Sequence, residues 1–336
     1  MRKFVKGLAI AAIILVVLAV IGISVTIGWH PFIGPRSRPL TSRKFESTLE
    51  RLKRGAYLVE HVSGCAFCHT PFQETAAGPE IVASKKASGQ VFPLPGFPGT
   101  VVAPNLTPDP ETGIGNWTDD QLARAIREGI GHDGRTLFPL MPYTYFRHMT
   151  DEDLASVVVY LRSLPPIRNP LPATEIHFPI KYLIRTAPEP VTEAVQADVS
   201  TPVSRGKYLV GIALCADCHT PSRRGQLVAG MDFAGGQVFD LGSKKIASPN
   251  ITPDSTGIGS YTEDTFVKTL RTGYVGTRQL NTFMPWQGYS ALTDNDLKDM
   301  YAYLKTLTPV SHRVDNSKSA TPCRKCGAVH GGGDTN

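Results

Sequence analysis

The sequence predicts an all-α protein: two tandem domains of one kind, set behind an apolar N-terminal helix. Three observations carry this. Residues 7–28 hold no charged side chain. The chain then repeats itself at an interval of about 150 residues, too long for a solenoid unit, so it reads as two copies of one domain. Both copies carry capped segments of helical period, and neither shows a long alternating strand pattern. Composition agrees. Of 336 residues, 41% are hydrophobic and 19% charged, too apolar for a disordered chain, while 31 Gly and 27 Pro imply many loops. The formal charge of +6 suits acidic partners or an anionic membrane surface. The 35 basic residues are spread along the chain, which argues against a nucleic-acid partner.

Arg2, Lys3 and Lys6 precede the apolar stretch. At about 1.5 Å per residue, residues 7–28 give roughly 33 Å of helix, enough to cross a bilayer core. Trp29 sits where an interfacial aromatic holds such a helix in register. A cleaved secretory signal shares these features, but this run exceeds the usual length of roughly 7–15 residues and no A-x-A site follows it. An uncleaved transmembrane anchor over residues 1–30 is therefore expected. Charge does not orient it, because Arg36, Arg38, Arg43 and Lys44 flank the other end.

The repeat is explicit. RGAYLVEHVSGCAFCHTP at 54–71 answers RGKYLVGIALCADCHTP at 205–221, and GQVF occurs at 89–92 and 236–239. PNLTPD at 104–109 matches PNITPD at 249–254, and TGIG recurs at 112–115 and 257–260. Met141-Pro142-Tyr143 corresponds to Met284-Pro285-Trp286. The expected organisation is the anchor, a first domain over 50–166, a linker over 167–203, a second domain over 204–310 and a tail over 311–336. The linker region, 165–204, holds eight prolines, as a stiff, extended connector would.

Helix starts are marked by Thr118-x-x-Gln121, Thr150-x-x-Asp153, Thr262-x-x-Thr265 and Thr293-x-x-Asp296, in which a hydroxyl caps the first backbone N–H groups. The closing helix of the first copy places Leu154, Val157, Val158, Leu161 and Leu164 on one face; the second repeats this with Leu297, Met300, Tyr301, Leu304 and Leu307. The opening helices contain Gly55 and Gly206, each costing about 1 kcal/mol against Ala. Glycine placed there twice predicts another helix packed close, with Tyr160 and Tyr303 as partners.

The chemistry lies in C-A-F-C-H at 65–69 and C-A-D-C-H at 215–219, the spacing of covalent haem attachment. Cys65 and Cys68, or Cys215 and Cys218, reach the two vinyl groups of one porphyrin, and His69 or His219 supplies an axial nitrogen to the iron. Two such motifs at matching places in a repeat are not chance. A zinc site is short of ligands, and the βαβ context of a thioredoxin-like dithiol is missing. For the sixth ligand, Met141 and Met284 fall at equivalent positions, each before Pro, and His/Met ligation gives a high-potential carrier. Met149, His132, Met231 and Met300 are the other candidates, none shared by both halves.

On these residues the halves resemble class I cytochrome c domains. More closely, RGxYLV before C-x-x-C-H-T-P, the PN-[LI]-TPD…TGIG stretch, the Met-Pro-aromatic triplets and the YLRSLPP or YLKTLTP endings resemble the membrane-bound cytochrome c subunits of bacterial alcohol, aldehyde and gluconate dehydrogenases. Those subunits usually carry three haem motifs, and this chain has two. The resemblance implies two haem c groups, each wrapped in one domain, and an electron carrier with no catalytic residue of its own. It implies a dehydrogenase subunit as donor, and a terminal oxidase, quinone or another cytochrome as acceptor. It also implies an inner-membrane location with the haem domains in the periplasm. A dihaem enzyme, peroxidase-like or thiosulfate-oxidising, is the alternative.

Other residues are read conservatively. Cys323 and Cys326 lack a following His and read first as a local disulfide, with a metal site or free thiols as alternatives. Trp117 and Tyr261 correspond in the repeat and serve either haem propionates or the core. Asn105 and Asn250 are expected to tie down turns. His61, His148, His177 and His312 have no repeat counterpart and are expected at the surface or in loops.

Overall fold

A computed structural model describes residues 2–75, 78–92, 97–223, 225–240, 245–316, 321–322 and 329–330. Among the described residues, the helices named here are α1 (Arg2–Thr26), α2 (His30–Ile33), α3 (Leu49–Tyr57), α4 (Asp119–Glu128), α5 (Asp151–Ser163), α6 (Ile180–Leu183), α7 (Pro202–Ile212), α8 (Glu263–Thr272) and α9 (Asp294–Leu304). Single helical turns at Cys65–Cys68, Tyr143–Phe146, Cys215–His219 and Trp286–Tyr289 complete the two copies. The all-α expectation needs correction. Short antiparallel pairs staple the loops, among them Gln90–Phe92 with Gly99–Ala103 and Val238–Asp240 with Lys245–Ala247. Pairs this short leave little room for apolar–polar alternation, so sequence pattern does not reveal them.

The helices begin where the hydroxyls stand. Thr118, Thr150, Thr262 and Thr293 each accept from the backbone N–H three residues on, at 3.1 Å. Gln121 closes a full capping box on the Thr118 N–H at 2.8 Å. In each domain the opening helix packs on the closing one, α3 on α5 and α7 on α9. The glycines permit it. A Cβ on Gly55 would stand 2.0 Å from the Ser156 carbonyl oxygen and 2.6 Å from Tyr160 Cβ. At Gly206 it would stand 1.9 Å from the Asp299 carbonyl oxygen, so backbone, rather than the expected Tyr303, is the nearest neighbour. The predicted closing-helix faces are core: Leu154, Val157, Val158, Leu161 and Leu164 are buried, as are Leu297, Met300 and Leu304.

The linker lies along the first domain instead of spanning free space. Glu175–Ile176 adds a strand to Gly99–Ala103, and Asn169 donates to the Ser88 carbonyl at 2.9 Å. The segment after the anchor is fastened too. Arg38 grips the buried Asp120 carboxylate with both terminal nitrogens at 2.7 and 2.8 Å and reaches Glu128 through Nε at 2.8 Å. The apolar window of Phe4–Thr26 in α1 is buried against nothing in the described structure, and with a mean hydropathy of 3.2 the helix is long and apolar enough to cross a membrane.

The two domains share one contiguous core and exchange a hydrogen bond pair related by the repeat. Tyr57, of the first RGxYLV, donates to Asp296 Oδ2 at 2.6 Å, and its oxygen accepts from the Thr293 N–H at 3.0 Å. Tyr208, of the second, donates to Asp153 Oδ2 at 2.6 Å and accepts from the Thr150 N–H at 3.1 Å. Each tyrosine thus completes the N-terminus of the other domain's closing helix. Burial and the Asp296 carboxylate push the Tyr57 hydroxyl up to about 12, so it remains a proton donor at neutral pH.

Gly206→Ala is expected to cost about 1–3 kcal/mol through backbone overpacking, read as a lower thermal midpoint. Gly211→Ala in the same helix meets nothing within 4 Å and should leave the midpoint level or raise it. Tyr57→Phe and Tyr208→Phe should each weaken the domain contact by about 1.5–3 kcal/mol, because a charged acceptor loses its donor. Calorimetry of the double variant should resolve one unfolding transition into two; an unchanged single transition would show that the exchange contributes nothing.

Candidate haem-binding sites

Each C-x-x-C-H folds as one helical turn preceded by a residue in the left-handed region, Gly64 at φ +60° and Leu214 at φ +62°. The turn closes with the His69 N–H on the Cys65 carbonyl at 3.0 Å. It brings both thiols and the imidazole to one place. His69 and His219 are each only 7% exposed, and in both the ring Nδ1 lies 2.7 Å from a proline carbonyl, Pro104 and Pro249 respectively. A carbonyl only accepts, so Nδ1 carries the proton and the lone pair is left on Nε2, the nitrogen an iron would take. Burial lowers the His69 pKa to about 4 and depresses that of His219 as well, keeping both rings neutral.

Those carbonyls belong to the PN-[LI]-TPD repeats, which the structure shows to be buckles. Asn105 Oδ1 accepts from the Thr107 N–H at 2.9 Å, and its amide donates to the Ile167 carbonyl at 2.7 Å. Asn250 repeats this with Thr252 at 2.9 Å and Val310 at 2.8 Å. The expectation that both asparagines tie down turns is met, and the turns they tie are the ones that aim the acceptor at the histidine. Thr70 and Thr220, after each His, accept from the Ala87 and Phe233 N–H groups, both at 3.0 Å.

Met141 and Met284 sit half-buried against the core in matching loops, the carbonyl of each accepting the N–H of the aromatic two residues on at 2.8 Å. Those aromatics pack on the left-handed glycines that end α4 and α8, Tyr143 on Gly129 and Trp286 on Gly273. The rival candidates are placed otherwise. Met149 and Met300 are 1% exposed in the core, and His132 stacks on Trp117 with centroids 4.3 Å apart. Met231 is half-buried in a loop. Trp117 and Tyr261 pack against the core, and their backbone carbonyls accept from Arg162 and Tyr301. Sequence reasoning passed over Trp286, whose indole N–H is buried without a protein partner and suits a propionate oxygen. His312 lies in a loop, as expected, and is buried there, with Nδ1 2.9 Å from the Ala234 carbonyl, because the chain after α9 folds back over the second site's loop. His61 is the one corrected: the opening helix runs on through Leu58–Val62, so it is helical and half-buried rather than in a loop or at the surface, and its Nδ1 is buried. Cys323 and Cys326 lie outside the described residues.

The attachment turns are neighbours across the domain contact. Tyr145 of the first domain lies close to Asp217, within the second C-x-x-C-H. Within the second domain, Tyr289 donates to the Ala213 carbonyl at 2.7 Å, just before that motif. Burial, and then Asp217 of the other domain, push the Cys68 thiol up to about 11; burial, Asp217 and Cys68 push Cys218 up to about 12.

The family model described as Cytochrome c matches residues 52–165 and 203–308. The chain belongs to the cytochrome c family. Similar proteins include the cytochrome c subunit of alcohol dehydrogenase (quinone) from Gluconobacter oxydans, 33% identical over 77% of this chain and 55% of that one. The fructose dehydrogenase cytochrome subunit of Gluconobacter japonicus is 31% identical over 71% of this chain and 48% of its own. A protein named diheme cytochrome c-type from Cereibacter sphaeroides is 28% identical over 74% of this chain and 83% of its own. The chain thus spans about half the length of the dehydrogenase cytochrome subunits it resembles here. The two domains carry two haem c groups, and the residues fit them: a thiol pair, a neutral imidazole of fixed tautomer and an unpartnered buried indole N–H.

Asn250→Ala is expected to cost about 1–3 kcal/mol in lost buried hydrogen bonds and to shift the reduction potential of one haem, leaving the other in place. Thermal denaturation and an optical redox titration check this. If neither quantity moved, the buckle would have no part in aiming the His219 acceptor.

Proposed function

We propose that this chain is a membrane-anchored dihaem electron carrier, the electron-transfer subunit of a dehydrogenase whose catalytic chain is separate. The reading rests most on the mirrored pair of buried histidines, each held by Nδ1 on a proline carbonyl beside a C-x-x-C turn. When bound, haem supplies a one-electron couple, its iron cycling between ferric and ferrous. Cys65 and Cys68, and Cys215 and Cys218, would hold it by thioethers, while His69 and His219 would bind the iron through Nε2 and Met141 and Met284 through the thioether sulfur. The low exposure of the histidines limits solvent reorganisation when the charge changes. The nearness of Cys68 to Asp217 and Cys218 of the other domain gives electrons a short protein path from one domain to the other.

The relatives named as subunits of alcohol, fructose and gluconate dehydrogenases support a dehydrogenase as donor. A terminal oxidase, quinone or another cytochrome serves as acceptor. Helix α1 anchors the chain in the bacterial inner membrane as a single pass. Covalent haem attachment on the outer side puts both domains in the periplasm. The likeness of the two sites supports two saturated irons rather than one differentiated for substrate.

Met141→Ala or Met284→Ala should open one iron to carbon monoxide and lower one potential, within the roughly 0.8 V range that axial ligands span. An unchanged titration would remove that methionine as ligand. Gentle purification in detergent from native membranes should retain a large cofactor-bearing chain in equal amount. A chain that purifies alone, with both haems intact, would contradict the subunit assignment.

A further inference from the structure

Beyond the haem sites, one end of the protein gathers apolar side chains that no described residue covers. The linker turn carries Phe178, 78% exposed, and α6 carries Leu183, also exposed. Next to it α2 presents Phe32 and Ile33, 54% and 73% exposed, after the exposed Trp29. The two stretches are far apart in sequence, but the structure packs them together: α2 touches α6 and the turn Ile184–Thr186, and Arg185 donates to the Pro31 carbonyl at 3.3 Å. An Arg36–Glu189 ion pair makes a second tie.

The surroundings of the patch are basic and aromatic. The Lys181 ammonium and the Arg185 guanidinium lie 5.2 and 4.8 Å from the Tyr182 ring centroid. Trp29 and Phe32 have centroids 6.1 Å apart. Exposed Phe, Leu and Ile beside Trp, Tyr, Lys and Arg is the composition of a surface that seats in the headgroup region, where rings sit at the boundary and cations meet lipid phosphate. Its position decides the occupant. α1 ends at Thr26 and α2 starts at His30, so if α1 spans a bilayer the patch stands at the plane where the helix emerges.

We propose that Trp29–Ile33 and Phe178–Arg185 form a second, interfacial membrane contact, a lipid-seated foot that fixes the haem domains at a set height and tilt. This rests on the reading of α1 as the membrane anchor. The Phe178–Arg185 half of the foot belongs to the linker, and Glu175–Ile176 joins that half to the first domain's sheet. The linker's prolines thus route the chain down to the membrane and back before the second domain begins.

Spin labels on the full holo-chain test this. In a Cys323→Ser/Cys326→Ser background, single cysteines replace Phe178, Leu183, Ile13 within α1, and Leu227, an exposed residue of the second domain. Each labelled protein is reconstituted into vesicles of phosphatidylcholine and phosphatidylglycerol, and collision with oxygen is compared with collision with a water-soluble nickel chelate. At Phe178 and Leu183 the nickel accessibility should fall several-fold below that at Leu227, with oxygen accessibility raised as it is at Ile13. A second variant, Lys181→Glu/Arg185→Glu, should restore much of the nickel accessibility at Phe178. Labels at Phe178 and Leu183 as open to nickel as Leu227, with Ile13 protected, would overturn the foot and leave the anchor standing. Protection from both reagents would place the patch against protein and also overturn it. Nickel access at Ile13 would overturn the anchor, and the foot with it.

Discussion

An imidazole this deeply buried has to settle on one tautomer, and the carbonyls of Pro104 and Pro249 make that choice for His69 and His219. The carbonyls are held in turn by the asparagine–threonine buckles, and the buckles by Ile167 and Val310, which follow the closing helices. The PN-[LI]-TPD stretch, the C-x-x-C-H turn and the end of the closing helix therefore form one mechanical unit. Loosening any part frees the ring to rotate or to exchange its proton, and with that the basicity of the iron-facing nitrogen.

The unit occurs twice, and the copies are joined through the same residues that repeat. Tyr57 and Tyr208 stand about two helical turns ahead of their own haem motifs, yet each caps the other domain's closing helix. A repeat that pairs with itself in this way makes a two-fold-like contact, in which one residue type satisfies both halves. The carboxylates of Asp153 and Asp296 receive the tyrosine hydroxyls at helix N-termini, where negative charge is favoured. The result is a fixed pair of sites, not two beads on a flexible tether. For an electron carrier a fixed pair matters, because transfer between the sites depends on their separation.

Much of this was legible in the residues. The four threonine caps, the apolar faces of the closing helices and the close approach at Gly55 and Gly206 follow from local rules, and the structure has them. The covalent motifs were legible because chemistry fixes their spacing. Backbone acceptors were not: a proline carbonyl looks the same in any sequence, so the role of Pro104 and Pro249 appears only when the loop is folded. The crossing tyrosines were hidden for another reason, since each partner lies some 240 or 55 residues away. The burial of His312 was not legible either, because it comes from chain beyond the repeated unit. The linker's prolines suggested stiffness and said nothing of the surface along which the linker lies.

In the proposed carrier both sites hold iron saturated by a histidine and a methionine, so that each passes electrons and neither binds substrate. Resonance Raman spectroscopy of the purified holo-chain, oxidised and reduced, tests it most directly. The account requires six-coordinate, low-spin signatures from both haems in both oxidation states. A five-coordinate or high-spin population at either iron in the native protein would contradict it and point instead to a site open for chemistry.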